Sequence, residues 1–279
     1  MIEYIKAILS EKEDAPLIFK RNVVKEYLQV LTMSFLYSHS DYKNLVLYGG
    51  SSLRHCYGLQ RLSEDLDFVD VEKKIDLGKL AVDLISFFEK KHNLKATFKI
   101  QKFRCVLKFP ILHILNLAKT SESNFLFLKI EVYTKFDFCQ NYRIEIIPVF
   151  KFGESMLVKS FDLPTMMATK IRAILHRKWE RTTKNGKLLA MVKGRDYYDL
   201  MWYLKQGVEP NLDCIEGIKN KSELYTRLLE VVTKVDKTSI KYDLESLIED
   251  QSFVQTFSEN AREILITMIE KFFKFPPTS

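Results

Sequence analysis

The chain is 279 residues long, with 47% apolar and 28% charged residues and a formal charge of +7. That length and balance exclude a disordered chain and leave room for two globular domains with sizeable cores. The excess of cations permits an anionic partner such as nucleic acid without demanding one.

The first segment, Met1 to Asp14, carries acidic residues where a secretory leader would carry a continuous apolar core. Nowhere does an uncharged apolar stretch reach membrane-spanning length, so the expected location is the cytoplasm, with no membrane partner. Residues 17 to 40 place Phe19, Val23, Val24, Tyr27, Leu28, Leu31, Phe35 and Leu36 at helical spacing. Strand patterns follow at Leu45–Tyr48, Asp65–Val71, Ala96–Phe103, Cys105–Phe109, Phe125–Thr134 and Tyr142–Phe150, with a helix over Leu77–Lys90. This mixture predicts a sheet-bearing α/β or α+β domain over residues 1–160. Beyond it, Asp162-Leu163-Pro164 has the form of a helix start, and helical patterns run over 164–183, 194–206, 221–235, 241–249 and 255–274. A helical domain over 161–279 is the second expectation.

Two groups of residues carry chemistry. The strand ending at Tyr48 meets Gly49-Gly50-Ser51-Ser52-Leu53, and a second strand carries Asp65 and Asp67 after Arg61-Leu62-Ser63-Glu64. Alternation puts both aspartates on one face, with Leu66 and Phe68 turned into the core. Paired carboxylates repel unless a cation sits between them, which points to a divalent metal. Two glycines at a strand end let a phosphate approach the backbone, while Ser51 or Ser52 caps a helix expected at Leu53–Leu59 or bonds a phosphate oxygen. Lys129-Ile130-Glu131-Val132 supplies a third acid, Glu131, on a neighbouring strand; Asp137 and Glu145 are alternatives. A plain capped turn and an exposed Lys129–Glu131 pair are the structural alternatives.

The second group is basic. Lys170, Arg172, Arg177, Lys178, Arg181, Lys184, Lys187, Lys193 and Arg195 stand against a single acid, Glu180, with Trp179 among them. Such a one-signed run calls for an anion nearby. Asp196 and Asp199 follow on one helical face, placed to pair with Arg195 or to orient Lys170. The four cysteines, Cys56, Cys105, Cys139 and Cys214, form no C-x-x-C pair, and the five histidines are scattered. Buried free thiols, and no zinc site, are expected.

Taken together, Gly49-Gly50-Ser51-Ser52-Leu53, Arg61-x-Ser63-x-Asp65-x-Asp67-Phe68, Lys129-x-Glu131, the Lys170 to Arg177 helix and Arg195-Asp196-x-x-Asp199-Leu200 resemble the AbiEii/AbiGii-type toxins of the DNA-polymerase-β-like nucleotidyltransferase superfamily. The resemblance spans residues 45 to 203. It implies a nucleotidyltransferase-fold mixed sheet with a helical C-terminal lobe, the two enclosing an active site. It further implies an NTP substrate, Mg²⁺ (or Mn²⁺), and a separately encoded antitoxin as partner. The expected reaction moves an NMP to an acceptor hydroxyl, with RNA, at a tRNA 3′ end, as acceptor. The implied roles are catalysis by Asp65, Asp67, Glu131 and Asp196, and metal binding by Asp65, Asp67 and Glu131. Nucleotide binding falls to Gly49, Gly50, Ser51, Ser52, Arg61, Ser63, Lys170 and Arg177. Glu131 departs from the aspartate more usual in the family. A same-fold transferase acting on a small molecule or a protein hydroxyl, and a non-catalytic nucleotide- or RNA-binding module, are the alternatives.

Overall fold

A computed structural model describes residues 1–139, 141–177, 181–182, 188–190 and 192–274. The chain divides into two compact units, Met1–Phe136 with Ile144–Ser160, and Asp137–Arg143 with Phe161–Ser279.

The first unit opens with α1 (Ile2–Ser10) and α2 (Leu17–Ser38). α2 buries residues on nearly every side, including Asn22, Glu26 and Gln29, so it is a central helix and not a surface one. There follow β1 (Val46–Tyr48), α3 (Gly49–Cys56), β2 (Leu66–Val69), α4 (Leu77–His92), β3 (Thr97–Gln101), β4 (Arg104–Pro110), β5 (Phe125–Tyr133), β6 (Ile144–Lys151) and β7 (Glu154–Phe161). Asp76 caps α4 by accepting from the N–H groups of Gly78 and Lys79 at 2.7 and 3.1 Å, and Asn93 ends it in the left-handed conformation.

The strands form one mixed sheet in the order β3-β4-β5-β2-β1-β7-β6. β2 runs antiparallel to β1 and parallel to β5, while β3, β4 and β5 form an antiparallel series. Along β5, Leu126, Leu128, Ile130 and Val132 are buried, and Phe125, Phe127, Lys129, Glu131 and Tyr133 point the other way. The buried set joins Leu66, Phe68, Cys105, Leu107, Phe109 and the α2 and α4 side chains in one core. The opposite face is open, and it carries Glu131. β7 is an element that the sequence pattern did not announce. The chain reverses through Phe152 and Gly153, both at positive φ (52° and 76°), and phenylalanine is not a customary residue for that turn.

A buried charge network fixes α3 against α2. Arg54 Nε donates to Glu26 Oε1 at 2.5 Å and Lys151 Nζ lies 2.7 Å from the same oxygen. Burial opposes the Glu26 charge, but the Arg54 bond and Lys151 outweigh it, so its carboxyl sits below the usual range. His55 beside it is held neutral, its pKa pushed down to about 3 by burial and then by Lys151. Gln29 links this network to the motif loop, donating to the Ser63 carbonyl at 2.9 Å while its own oxygen lies 3.1 Å from His55 Nε2.

The second unit holds α5 (Leu163–His176), a two-stranded ribbon of β8 (Arg181–Thr182) and β9 (Leu188–Ala190), and then α6 (Gly194–Lys205), α7 (Lys221–Val232), α8 (Lys237–Leu244) and α9 (Gln251–Lys274). Asp162 caps α5 through the Thr165 N–H at 3.2 Å, with Pro164 in the first turn, as expected. α5 stops at His176 where a helix to 183 was expected, because the chain enters the ribbon. Gly194 allows α6 to approach α8 closely, since a Cβ there would lie 2.5 Å from the Ser239 carbonyl oxygen. The expectation of four free thiols holds only for Cys56 and Cys105; Cys139 and Cys214, 75 residues apart, form a disulfide within this unit. Wide spacing gives no sign of such a pair.

Candidate active site

The turn from β1 into α3 starts at Gly49, whose φ of 71° is left-handed backbone that side chains disfavour. A Cβ at this position would stand 3.0 Å from Asp67 Oδ2, so glycine lets the β2 carboxylate lie against the turn. Gly50 has a different neighbour. There a Cβ would stand 2.7 Å from Arg61 Nη2 and 3.3 Å from Ser63 Oγ. Arg61 is 1% exposed and donates from Nη1 to the Leu62 carbonyl at 2.8 Å. It therefore supports the turn from beneath.

Ser51 and Ser52 also differ from expectation. Both are fully buried inside α3, which begins four residues before the expected Leu53. Ser51 Oγ donates to the Tyr48 carbonyl at 3.3 Å, and Ser52 Oγ lies 2.6 Å from Ser160 Oγ on β7. These hydroxyls anchor the helix to the sheet instead of capping it. Ser63 is likewise buried and donates to the Asp65 carbonyl at 3.4 Å. The backbone of Gly49 and Gly50 at the N-terminus of α3 offers N–H groups to an anion at this turn.

Asp65 and Asp67 sit on one face at the start of β2, both partly exposed. The register places Asp67 directly beside Tyr48 on one side and Glu131 on the other, and Arg104 on the far side of Glu131. Lys129 Nζ lies 3.4 Å from each Asp65 carboxylate oxygen. Arg104 Nη1 lies 3.3 Å from Glu131 Oε1, and the Tyr133 hydroxyl donates to Glu131 Oε2. The Tyr48 and Tyr133 rings meet edge to face at 5.8 Å. Burial, and then the Asp67 charge, raises the Tyr48 pKa; burial, and then the bond to Glu131, raises that of Tyr133. Both phenols thus remain O–H donors at neutral pH. Tyr48, Arg104 and Tyr133 are not marked out by any sequence motif, although period-2 alternation from Glu131 picks out Tyr133.

Glu145 is on β6, accepting from Tyr57 at 3.0 Å, and Asp137 belongs to the second unit.

In that second unit, Lys170 Nζ on α5 lies 2.7 Å from Asp196 Oδ1 and 2.8 Å from Asp199 Oδ2 on α6. Arg177 Nη1 reaches Asp196 Oδ2 at 2.9 Å. Burial alone would raise the Asp196 pKa, but Lys170 and Arg177 outweigh it and hold it at about 2. The one-signed run expected here is partly answered by distant acids. Arg172 pairs with Glu216 at 3.2 Å and lies 4.0 Å from the Phe138 ring, while Asp243 accepts the backbone N–H of Arg195 at 3.3 Å. Lys178, Trp179, Glu180, Lys184 and Lys187, and the Arg181 side chain, lie outside the described residues.

The family model of the AbiEii nucleotidyl transferase toxins of type IV toxin–antitoxin systems matches residues 34–273. The chain belongs to the AbiEii family. Membership assigns it nucleotidyl transfer and a toxin–antitoxin role. Among solved structures, JHP933 from Helicobacter pylori aligns with a TM-score of 0.50 at 18% identity, over 91% of this chain and 92% of that one. A second Helicobacter pylori protein, described provisionally as a nucleotidyltransferase, aligns at 0.48 and 18% identity over 90% and 94%. No curated protein matches the chain.

For an AbiEii protein the donor set matters. Paired carboxylates are hard oxygen ligands suited to a divalent cation, and Gly49 keeps the space beside Asp67 clear of side-chain atoms. The Asp65–Asp67 pair therefore fits such an ion. Among the described residues no three His, Cys, Asp or Glu side chains form a group that could hold a metal, and Glu131 is paired with Arg104 and Tyr133. No described helix is long and apolar enough to cross a membrane.

Proposed function

We propose that this AbiEii-family protein moves an NMP from an NTP to an acceptor hydroxyl of RNA, at the 3′ end of a tRNA, acting in the cytoplasm as the toxin opposed by a separately encoded antitoxin. The observation that carries the reading is Asp67, seated between the Gly49 turn and Glu131 in adjacent strands. Asp65 and Asp67 would hold Mg²⁺ or Mn²⁺. When bound, such an ion neutralises charge on the triphosphate and on the attacking oxygen.

The chain's own residues do the remaining work. Backbone N–H groups at Gly49 and Gly50 receive triphosphate oxygens, aided by the positive end of α3. Lys129, 3.4 Å from Asp65 and half-exposed, would add a positive charge beside the acids for the substrate's phosphates. Glu131, held by Arg104 and Tyr133, would accept the acceptor hydroxyl's proton. In the second unit, Asp196 and Asp199 hold Lys170, and Asp196 holds Arg177, in the charged geometry that phosphates require.

The test is incubation with each labelled NTP, Mg²⁺ and total RNA, with pyrophosphate measured in parallel. Label entering a small-RNA pool with matching pyrophosphate supports the reading. Label entering protein or a small molecule replaces the acceptor, and no pyrophosphate release removes the enzyme.

A further inference from the structure

We propose that the open face of β3, β4 and β5 is the platform on which the single-stranded end of the acceptor RNA lies. The inference rests on the RNA-acceptor reading above and adds where that RNA is held.

The register builds this face row by row. Next to the carboxylates, Asp67, Glu131, Arg104 and Gln101 stand side by side. In the next row, Lys129 is followed by Val106 and Lys99. One row further, Phe127 is followed by Lys108 and Thr97. Phe125 and Pro110 close the series. In these three strands Glu131 is the single acid, so the face turns cationic and aromatic as it leaves the carboxylates.

Phe125 and Phe127 are 40% and 43% exposed, on a strand whose alternate residues Leu126 and Leu128 are fully packed. A pair of phenyl rings on one open face, flanked by Lys108, Lys129 and Lys99, offers stacking surfaces interleaved with phosphate-binding charge. That is the combination unpaired nucleotides recognise, and duplex RNA, whose bases are already stacked, does not need it. Charge complementarity selects the occupant: a polyanion with flat apolar rings matches both features, whereas an apolar protein surface would leave the lysines unanswered. Phe127 lies four residues from Glu131, about 13 Å along the strand, so a strand stacked there delivers its terminal hydroxyl toward the acids.

The experiment uses the full chain and a short fluorescein-labelled single-stranded RNA with a free 3′ end, followed by anisotropy without NTP. Phe127→Ala should weaken binding about tenfold, and Phe127→Tyr should restore it. Lys99→Ala with Lys108→Ala should make the salt dependence shallower by about 1.4 logarithmic units, roughly 0.7 for each phosphate that is no longer neutralised. The lysine pair keeps the test open if Phe127→Ala fails to fold. Should all variants bind RNA like the parent while the parent still passes label from NTP to RNA, the platform is wrong and the function stands. If the parent binds no RNA and labels protein or a small molecule, the RNA reading falls and the platform with it.

Discussion

Two groups of charges in this molecule use the same chemistry at different depths. Around Asp65 and Glu131 the ion pairs are long, 3.3 to 3.4 Å, and the Lys129 and Arg104 side chains are 42% and 33% exposed. Around Asp196 they are short, 2.7 to 2.9 Å, with Asp199 wholly buried and Lys170 nearly so, and Arg177 closing the group from the rim. A loose pair near water gives up little when a ligand replaces one partner. A buried pair cannot be opened cheaply, because each charge left behind has lost its solvent. The first group is therefore built for exchange, and the second for holding Lys170 in a fixed position.

The largest expected effect breaks the first group without touching the fold. Asp67→Asn should lower Mg²⁺-dependent pyrophosphate release roughly a thousandfold, as expected for a lost preorganised charge, with the melting temperature unchanged. The second group should behave in the opposite way. Asp199→Ala leaves Lys170 short of a partner in a buried site and should cost at least about 3 kcal/mol in urea unfolding. Gly50→Ala probes the support under the turn: the new methyl meets Arg61 at 2.7 Å, which should cost about 1–3 kcal/mol. Combining it with Arg61→Leu should give less than the sum of the single effects. The last effect is a pH dependence. Asp196 has a folded pKa depressed from 3.8 to about 2, so its contribution is complete above about pH 4 and is lost as pH falls toward 2. Acid titration of stability should show this loss, of about 2 kcal/mol, and Asp196→Asn should remove it.

Much of the sheet is legible in the sequence because period-2 alternation survives wherever one face is buried. The Phe125–Tyr133 strand and the shared face of Asp65 and Asp67 follow from it directly. The Lys170–Asp196 pair is also visible there, since helical spacing restricts which residues a lysine on the preceding helix can meet. Other features depend on chain segments far apart. Nothing near Arg61 says that its guanidinium fills the space under Gly50, and nothing near Ser52 announces Ser160. Arg104 reaches Glu131 only through strand register, Glu216 answers Arg172 across 44 residues, and Asp243 takes the backbone N–H of Arg195 across 48. Local pattern names the acids; tertiary packing decides which of them are already occupied.

The segment Asp137–Arg143 has a consequence for how the gene can be divided. It leaves the sheet after β5, is joined through Cys139 to Cys214, receives Asn211 Nδ2 on the Asn141 carbonyl at 2.5 Å, and returns to start β6. A shortened protein ending after Ser160 would retain the strands yet carry a stranded half of the crosslink. One beginning at Phe161 would lack the loop that covers its own 3₁₀ turn at Leu212–Cys214. Split-protein and complementation schemes that cut at 160 should therefore yield two sticky fragments, and a division sparing both cysteines on one piece is the safer design.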